Sequence, residues 1–320
     1  MSLIVIRSRT ISRPISIAGE ALNRISKGDF DVQLPSASDD EIGGLIRSVQ
    51  VTADRLKAYL LEVTSFAVTQ KQIDTAKSIQ QDFLLSSLPS DPAYDAEAFS
   101  RPALDIGADW YDMVDTGPFV VFLVADVCDK GVPSALYMSV FRSLIRSHIL
   151  DGAELLSTSH VQEVLLGTIV KVNDYMASNQ NASMMFATLF VCAVEKSTGC
   201  VTYVCAGHES PAVLRQSGVE LLDSVSGPAI GLFEGALYVA YATTLSPGES
   251  LVIYSDGLID ARSPANESWG LDRLRNLLVA SPRLAAQDLM SAIVSSVDGH
   301  MSGADQFDDL TVMVFRWLGA

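Results

Sequence analysis

Four acidic stations stand in turns or at the ends of apolar runs. They are Asp109 and Asp112 in GADWYD, Asp126 in VADV, Asp256 in YSDG, and Asp308 with Asp309 in FDDLTVMVF. Singly, each is more often a turn or cap residue than a ligand, because short carboxylates stabilise turns through their own backbone. Together they have another use. Hard divalent cations take several oxygen ligands, and neighbouring strand ends that each deliver one carboxylate could build a shared cage without His or Cys. Two such ions, about 3.5 to 4 Å apart, activate a water and clamp the oxygens of a phosphoryl transfer.

The elements that must position these residues are legible in outline. Strands are expected at 119–125, 186–194, 200–205, 212–215, 238–245, 251–254 and 310–317, and helices at 133–148, 161–177, 269–279 and 285–297. Ser197-Thr198-Gly199 and Gln216-Ser217-Gly218 read as tight connections between consecutive strands, which favours antiparallel sheets with helices outside them. Pro89 to Pro102 carries three prolines and reads as a domain boundary.

Composition narrows the function. Residues 1–90 hold ten charges of each sign, whereas residues 91–320 hold 12 basic and 28 acidic residues and carry the whole net charge of −16. That part lacks the basic footprint that nucleic-acid backbones require. Cys128, Cys192, Cys200 and Cys205 have no C-x-x-C spacing, so reduced thiols in a cytosolic domain are expected rather than zinc or disulfides. No apolar run reaches the roughly 18 to 20 residues of a membrane span. The start, MSLIVIRSRT, fits either the last turn of a spanning helix or a plain flank, and Arg7, Arg9 and Arg13 suit a cytoplasmic boundary. A membrane-proximal stub at 1–13, tethering a cytoplasmic catalytic domain through an upstream segment, is the corresponding expectation.

Residues 14 to about 60 read as two helices joined by an extended connector, with Pro14 opening the first, Lys27-Gly28-Asp29 closing it, and Ser38-Asp39-Asp40-Glu41 capping the second. RPISIAGEALNRISKGDFDVQLPSASDDEIGGL resembles a HAMP signalling linker, taken as 14–62. A heptad then runs through Ile42, Val49, Leu56, Val63 and Gln70, with a second seam at Leu45, Thr52, Tyr59, Phe66 and Ile73. Eight of these ten are apolar, as in a parallel coiled coil. An amphipathic helix packed on its own domain fits the same pattern; with the HAMP resemblance, a homodimeric stalk is the better reading. The regulatory helix is taken as 63–90, and its seam turns polar at Gln70, Lys77 and Gln80. No His lies in 42–85, which removes a phospho-accepting histidine kinase.

Six stretches occur in one order: GADWYDMV, VADVCDKGVPSALYMS, FATLFVCAVEKSTGCVTYVCAGHESPAVLR, GPAIGLFEG, LSPGESLVIYSDGLIDARSPANESWG and FDDLTVMVFRW. This order resembles the SpoIIE/RsbU branch of the metal-dependent protein phosphatase (PPM) family, over about residues 78–318. The resemblance implies an α+β fold, a β-sandwich of two antiparallel sheets flanked by helices, occupying 91–320. It also implies two Mn²⁺ or Mg²⁺ ions and hydrolysis of phosphoserine or phosphothreonine on a partner protein, such as a STAS-type anti-sigma-factor antagonist. By the same resemblance Asp126 and the Val127 carbonyl, Asp256, Asp308 and Asp109 would be metal ligands. Asp126 and Asp256 would act in catalysis through water on the metals, and Asp112 and Asp309 would be second choices. A catalytically weak scaffold that binds a regulatory partner is the alternative, although every acidic station is present.

Three departures from the branch pattern stand out. Gly107-Ala108 replaces a glycine pair, Asp129 replaces a glycine, and Cys128 sits where wider relatives carry a histidine thought to act as general acid. Leaving-group protonation would then fall to a water on the metals. His208 is expected to be a structural residue of an AGH turn, and Met184-Met185-Phe186 to be core packing.

Overall fold

The computed structural model describes residues 12–35, 38–179, 184–222, 226–282 and 284–319. Most of the expected stub at 1–13, residues 1–11, lies outside them. The chain divides into two compact units, 1–72 and 73–320.

In the first unit, α1 (Arg13–Ser26) opens on Pro14 and closes at Gly28, whose positive φ of 87° lets the chain turn away. Helix α2 (Glu41–Phe83) begins in this unit. Asp40 caps it by accepting the Gly43 amide at 2.8 Å. The connector between the helices is pinned by Gln50, whose side chain accepts from the Leu34 amide and donates to the Val32 carbonyl. Ala21, Val32, Val49 and Ala53 form a small core. The expected seam residues Tyr59, Val63 and Phe66 are exposed on the single chain, Phe66 by 69%.

The second unit is a four-layer sandwich. One sheet contains β2 (Asp109–Asp115), β3 (Phe119–Val127), β4 (Ala187–Glu195), β5 (Cys200–Ala206) and β8 (Tyr241–Thr244), in that spatial order. The other has the order β1 (Tyr94–Arg101), β10 (Leu310–Trp317), β9 (Ser250–Tyr254), β6 (Ala212–Arg215), β7 (Gly218–Leu221). All the strand pairings are antiparallel. This is the architecture expected from the sequence.

Two-residue strand periodicity builds the layers. On β3, Val120, Phe122 and Val124 point between the sheets, where they meet Phe190, Ile253, Met313 and Phe315. Phe119, Val121, Leu123 and Ala125 point outward to α3 (Val132–Gly152) and α4 (Val161–Asn179) through Met138, Phe141, Ile145, Leu165 and Ile169. The second sheet is covered by α6 (Leu271–Ala280) and α7 (Ala286–Met301). A short helix, α5 (Asp256–Ile259), follows β9. Because both faces of β3 and β9 are buried, these strands read as continuous apolar runs, and that is why they were visible in the sequence. The region expected as a boundary instead carries β1, a partly exposed edge strand whose polar composition (YDAEAFSR) hides it. The strand expected at 238–245 is limited to Tyr241–Thr244.

The same parity decides the fate of Asp112. It sits three residues after Asp109 on β2, so its side chain leaves the opposite face and meets α3. There it pairs with Arg142 at 3.4 Å and hydrogen-bonds Arg146. Its carboxyl group is 3% exposed, and burial raises its pKa against the lowering effect of the two guanidinium groups. Asp112 is a strut between helix and sheet. Replacing it with Ala would leave buried Arg142 unpaired and is expected to cost about 3 kcal/mol of stability. Chemical denaturation checks this, and Mn²⁺ affinity of the folded variant is expected to stay at the wild-type level.

Candidate metal centre

The carboxylates gather where β2, β3, β9 and β10 end together. Asp109 pairs in register with Asp126 across β2 and β3, and both share the parity of the residues that face between the sheets. Ser255, the residue after β9, is fully buried. Its hydroxyl donates to Asp109 Oδ2 at 2.6 Å and is itself the acceptor for the Thr311 amide at 3.0 Å. Asp256 opens α5 one residue later, and Asp308 lies in the turn before β10. The next residue, Gly257, is forced, since a Cβ there would lie 1.9 Å from the Asp309 carbonyl oxygen. The turn after β9 and the turn before β10 are therefore in backbone contact, which brings Asp256 beside Asp308.

Asp309 has a different task from its neighbour. Its carboxylate accepts the Ala103 amide at 2.6 Å and the Ala108 amide at 2.5 Å. It thus ties the loop leading into β2 to the start of β10 and fixes the approach of Asp109. Gly107 in that loop is held from another side, because the buried Gln80 amide of α2 donates to the Gly107 carbonyl at 2.6 Å. Lys130 spans the opposite rim, with Nζ 3.0 Å from Asp308 Oδ2 and 2.6 Å from the Phe307 carbonyl oxygen.

Electrostatics mark the cluster as one unit. Burial, with repulsion from Asp126 and Asp309, raises the Asp109 pKa well above the carboxylate range. Burial and the charges of Asp256, Asp308 and Asp309 push Asp126 up to about 7. Asp256 is raised by burial and then by Asp308 and Asp260. Glu209, just after His208, is raised by burial and by Asp256 and Asp260. Like charges this close require protons or cations. An all-oxygen donor set of this kind fits Mg²⁺ or Mn²⁺, which keep several waters as ligands. Among the described residues, no three acidic side chains already converge as ligands of one ion, so water or side-chain rotation would complete each shell.

Of the residues expected in the site, Asp109, Asp126, Asp256 and Asp308 are brought together. Val127 stands at the end of β3 beside them, Asp309 clamps the adjoining loop, and Asp112 faces away. Ser255, Lys130 and Glu209 are additions that the sequence concealed, Ser255 within the quoted YSDG and Lys130 within CDKG. Asp129 adopts φ 68°, the left-handed region that favours glycine and admits Asp at some cost, and its carboxylate accepts the following amide. Cys128 accepts the Phe186 amide and packs on Met185, and burial raises its pKa. His208 is buried against Thr188, at 2.9 Å from its hydroxyl, and burial brings its pKa down to about 4. In the Met184-Met185-Phe186 run, Met185 is core but Met184 is 79% exposed.

Comparison with known proteins turns on the segment that carries these strand ends. Residues 117–318 match the model of Stage II sporulation protein E (SpoIIE), and residues 7–58 match that of the HAMP domain. The chain belongs to the SpoIIE family. Its second unit has the fold of solved PP2C domains. Protein IcfG of Synechocystis is 31% identical across 98% of this chain and 52% of its own length. Phosphoserine phosphatase RsbU of Bacillus subtilis is 27% identical across 88% of this chain and 82% of its own length. The chain thus spans about half of the first relative and most of the second. Among solved structures, the SiaA PP2C domain of Pseudomonas aeruginosa superposes with a TM-score of 0.66 at 21% identity, covering 79% of this chain and 98% of that one. The catalytic domain of the phosphatase PstP, solved with two manganese ions, superposes with a TM-score of 0.51 at 14% identity, covering 70% of this chain and 97% of that one. At these identities both structures speak for the fold alone.

A raised carboxylate pKa in the folded state favours folding only while the group is protonated. Stability of the metal-free protein is therefore expected to fall as pH rises from the ordinary carboxylate range to about 7, where Asp126 ionises. Asp126→Asn is expected to raise the melting temperature of the metal-free protein at pH 8 and to abolish the upward shift produced by Mn²⁺. Thermal scans with and without EDTA read both effects.

Proposed function

We propose that this chain is a metal-dependent protein serine/threonine phosphatase of bacterial-type signal transduction, acting on a phosphoserine or phosphothreonine of a regulatory partner protein. The observation that carries the reading is the convergence of Asp109, Asp126, Asp256 and Asp308, from four separate elements, at one end of a PP2C-type sandwich. The division of labour proposed is a HAMP-like linker at 14–62, a regulatory helix at 63–90 and a phosphatase domain at 91–320, with 1–13 as a membrane-proximal flank of a cytoplasmic enzyme. Among the described residues no helix is long and apolar enough to cross a membrane. The exposed seam of α2 supports pairing with a second copy.

In this reading Asp109, Asp126, the Val127 carbonyl, Asp256 and Asp308 hold two Mn²⁺ or Mg²⁺ ions. When bound, the ions supply an activated water and screen the phosphoryl oxygens. The chain's own residues do the positioning. Ser255 fixes the Asp109 carboxylate by donating to Oδ2, and Asp309 holds the loop that delivers Asp109. Lys130 offsets charge at Asp308. Cys128 stays a thiol, turned toward Met185, and takes no part in proton transfer. A STAS-type anti-sigma-factor antagonist is the partner class that the sequence resemblance supports, and the name of the RsbU relative, a phosphoserine phosphatase, supports the chemistry.

Release of inorganic phosphate from a phosphoserine protein is expected to depend on Mn²⁺ or Mg²⁺ and to fall at least about a hundredfold in Asp256→Asn, the range for loss of one preorganised electrostatic group. An inert wild type that still binds a phosphorylated partner would favour the scaffold reading. Cys128→Ala is expected to retain turnover within about threefold; a collapse comparable to that of Asp256→Asn would make the thiol a participant.

A further inference from the structure

Phe307, the residue before Asp308, is 49% exposed and carries two cations on its ring. Lys130 Nζ lies 5.1 Å from the ring centroid and the Arg262 guanidinium carbon 4.8 Å. The two cations differ in what else they do. Lys130 is already engaged, by Asp308 and the Phe307 carbonyl. Arg262 is not. Among the described residues its side chain makes a single hydrogen bond, a long one of 3.5 Å from Nη1 to the Asn266 carbonyl oxygen, and its Nε is buried with no acceptor. Among the described residues, no carboxylate lies within ion-pair distance of it. By contrast Arg24, Lys57, Arg101, Arg142, Arg146, Lys196 and Arg215 all pair with Asp or Glu.

An unpaired, partly desolvated guanidinium is costly unless an oxygen reaches it. In a chain with 38 acidic and 22 basic residues, such a group beside a carboxylate cluster has no shortage of internal partners to evolve toward. Its place is nevertheless fixed. The short bridge between Arg262 and Ser268 shapes the loop, and the Phe307 ring, 4.8 Å from the guanidinium carbon, holds the group by a cation–π contact that leaves its N–H donors free for a planar or tetrahedral oxyanion. Sequence places it six residues after Asp256, and stacking places it on the neighbour of Asp308. It therefore stands on the rim of the metal centre. An acidic rim repels a phosphorylated substrate, and one oriented cation there would counter that.

The geometry points to Arg262, stacked on Phe307, as a substrate-binding residue that receives an oxyanion of the phosphorylated protein, a role that rests on the proposed phosphatase function. That oxyanion is either the phosphoryl group itself or a carboxylate flanking the phosphorylated residue. The contact is one of binding and orientation, with no proton or bond exchanged.

The test compares wild type with Arg262→Gln and Arg262→Lys in Mn²⁺, on p-nitrophenyl phosphate and on two phosphoserine peptides, one with acidic and one with alanine flanks. Anisotropy of the same peptides, fluorescein-labelled, gives binding without reference to turnover. Arg262→Gln is expected to raise KM and peptide Kd about tenfold, the scale of one lost charge-assisted hydrogen bond, with kcat within about threefold. Melting temperature and Mn²⁺ affinity stay unchanged, and Arg262→Lys recovers part of the loss. A KM rise shared by p-nitrophenyl phosphate identifies the phosphoryl group as the ligand; a rise confined to the acidic peptide identifies the flanking carboxylate. Unchanged KM and Kd for all three, or a loss that tracks a fall in melting temperature or Mn²⁺ affinity, overturns the assignment. A wild type that binds peptide without turning it over refutes the phosphatase reading, and the Kd comparison alone then decides the role of Arg262. A wild type that binds no peptide refutes both.

Discussion

Four carboxylates that repel one another, Asp109, Asp126, Asp256 and Asp308, are held at one end of a sandwich whose two sheets pack on each other through an apolar cluster. Carboxylates at such a site resist ionisation, as the upward displacement of Asp109, Asp126 and Asp256 records. The fold offsets this with backbone it can spare. Ala103 and Ala108 amides bind Asp309, and the Ser255 hydroxyl binds Asp109. Gly257 gives up its side chain so that two turns can touch. Around this end the named strands pair antiparallel and both outer faces are covered by helices. A site under electrostatic stress in the metal-free state is one that a divalent cation can stabilise strongly, because binding relieves a repulsion already present.

The architecture was legible because the central strands are buried on both faces. β3 and β9 announce themselves as apolar runs, and the tight turns at Gly199 and Gly218 favour an antiparallel order. What escaped notice was polar or short. β1 is an edge strand with the composition of a linker, β2 carries three aspartates in seven residues (DWYDMVD), and β7 has only four residues. The proline-rich stretch that suggested a boundary contains β1 because prolines at its ends leave the strand's own amides free to pair with β10.

The site was legible as a set of acids, but the function of each acid was not. Once β2 is known to be a strand, parity separates Asp109 from Asp112, since residues three apart on a strand face opposite ways. Applied to GADWYD, it sends one carboxylate between the sheets and the other to the helices. Parity cannot separate Asp308 from Asp309, which lie at the entry to β10, where the chain is still turning. There only the donors distinguish them: Asp309 is saturated by loop amides, while Asp308 faces Lys130. Those partners are all distant in sequence, 206 and 201 residues away for Ala103 and Ala108 and 178 (308 − 130) for Lys130, so no local pattern encodes them.

Asp129 shows how a local departure from a family pattern can be absorbed. The position needs a left-handed backbone, which is the physical reason for glycine there, and this chain meets the need with the residue type that tolerates it next best. The cost is partly offset by the bond from the Lys130 amide to the Asp129 carboxylate. That bond turns the carboxylate toward its own turn, so the substitution adds a charge near the metal centre while the turn keeps its shape. The geometry that presents Lys130 to Asp308 and Phe307 is consequently preserved, and with it the ring on which Arg262 rests.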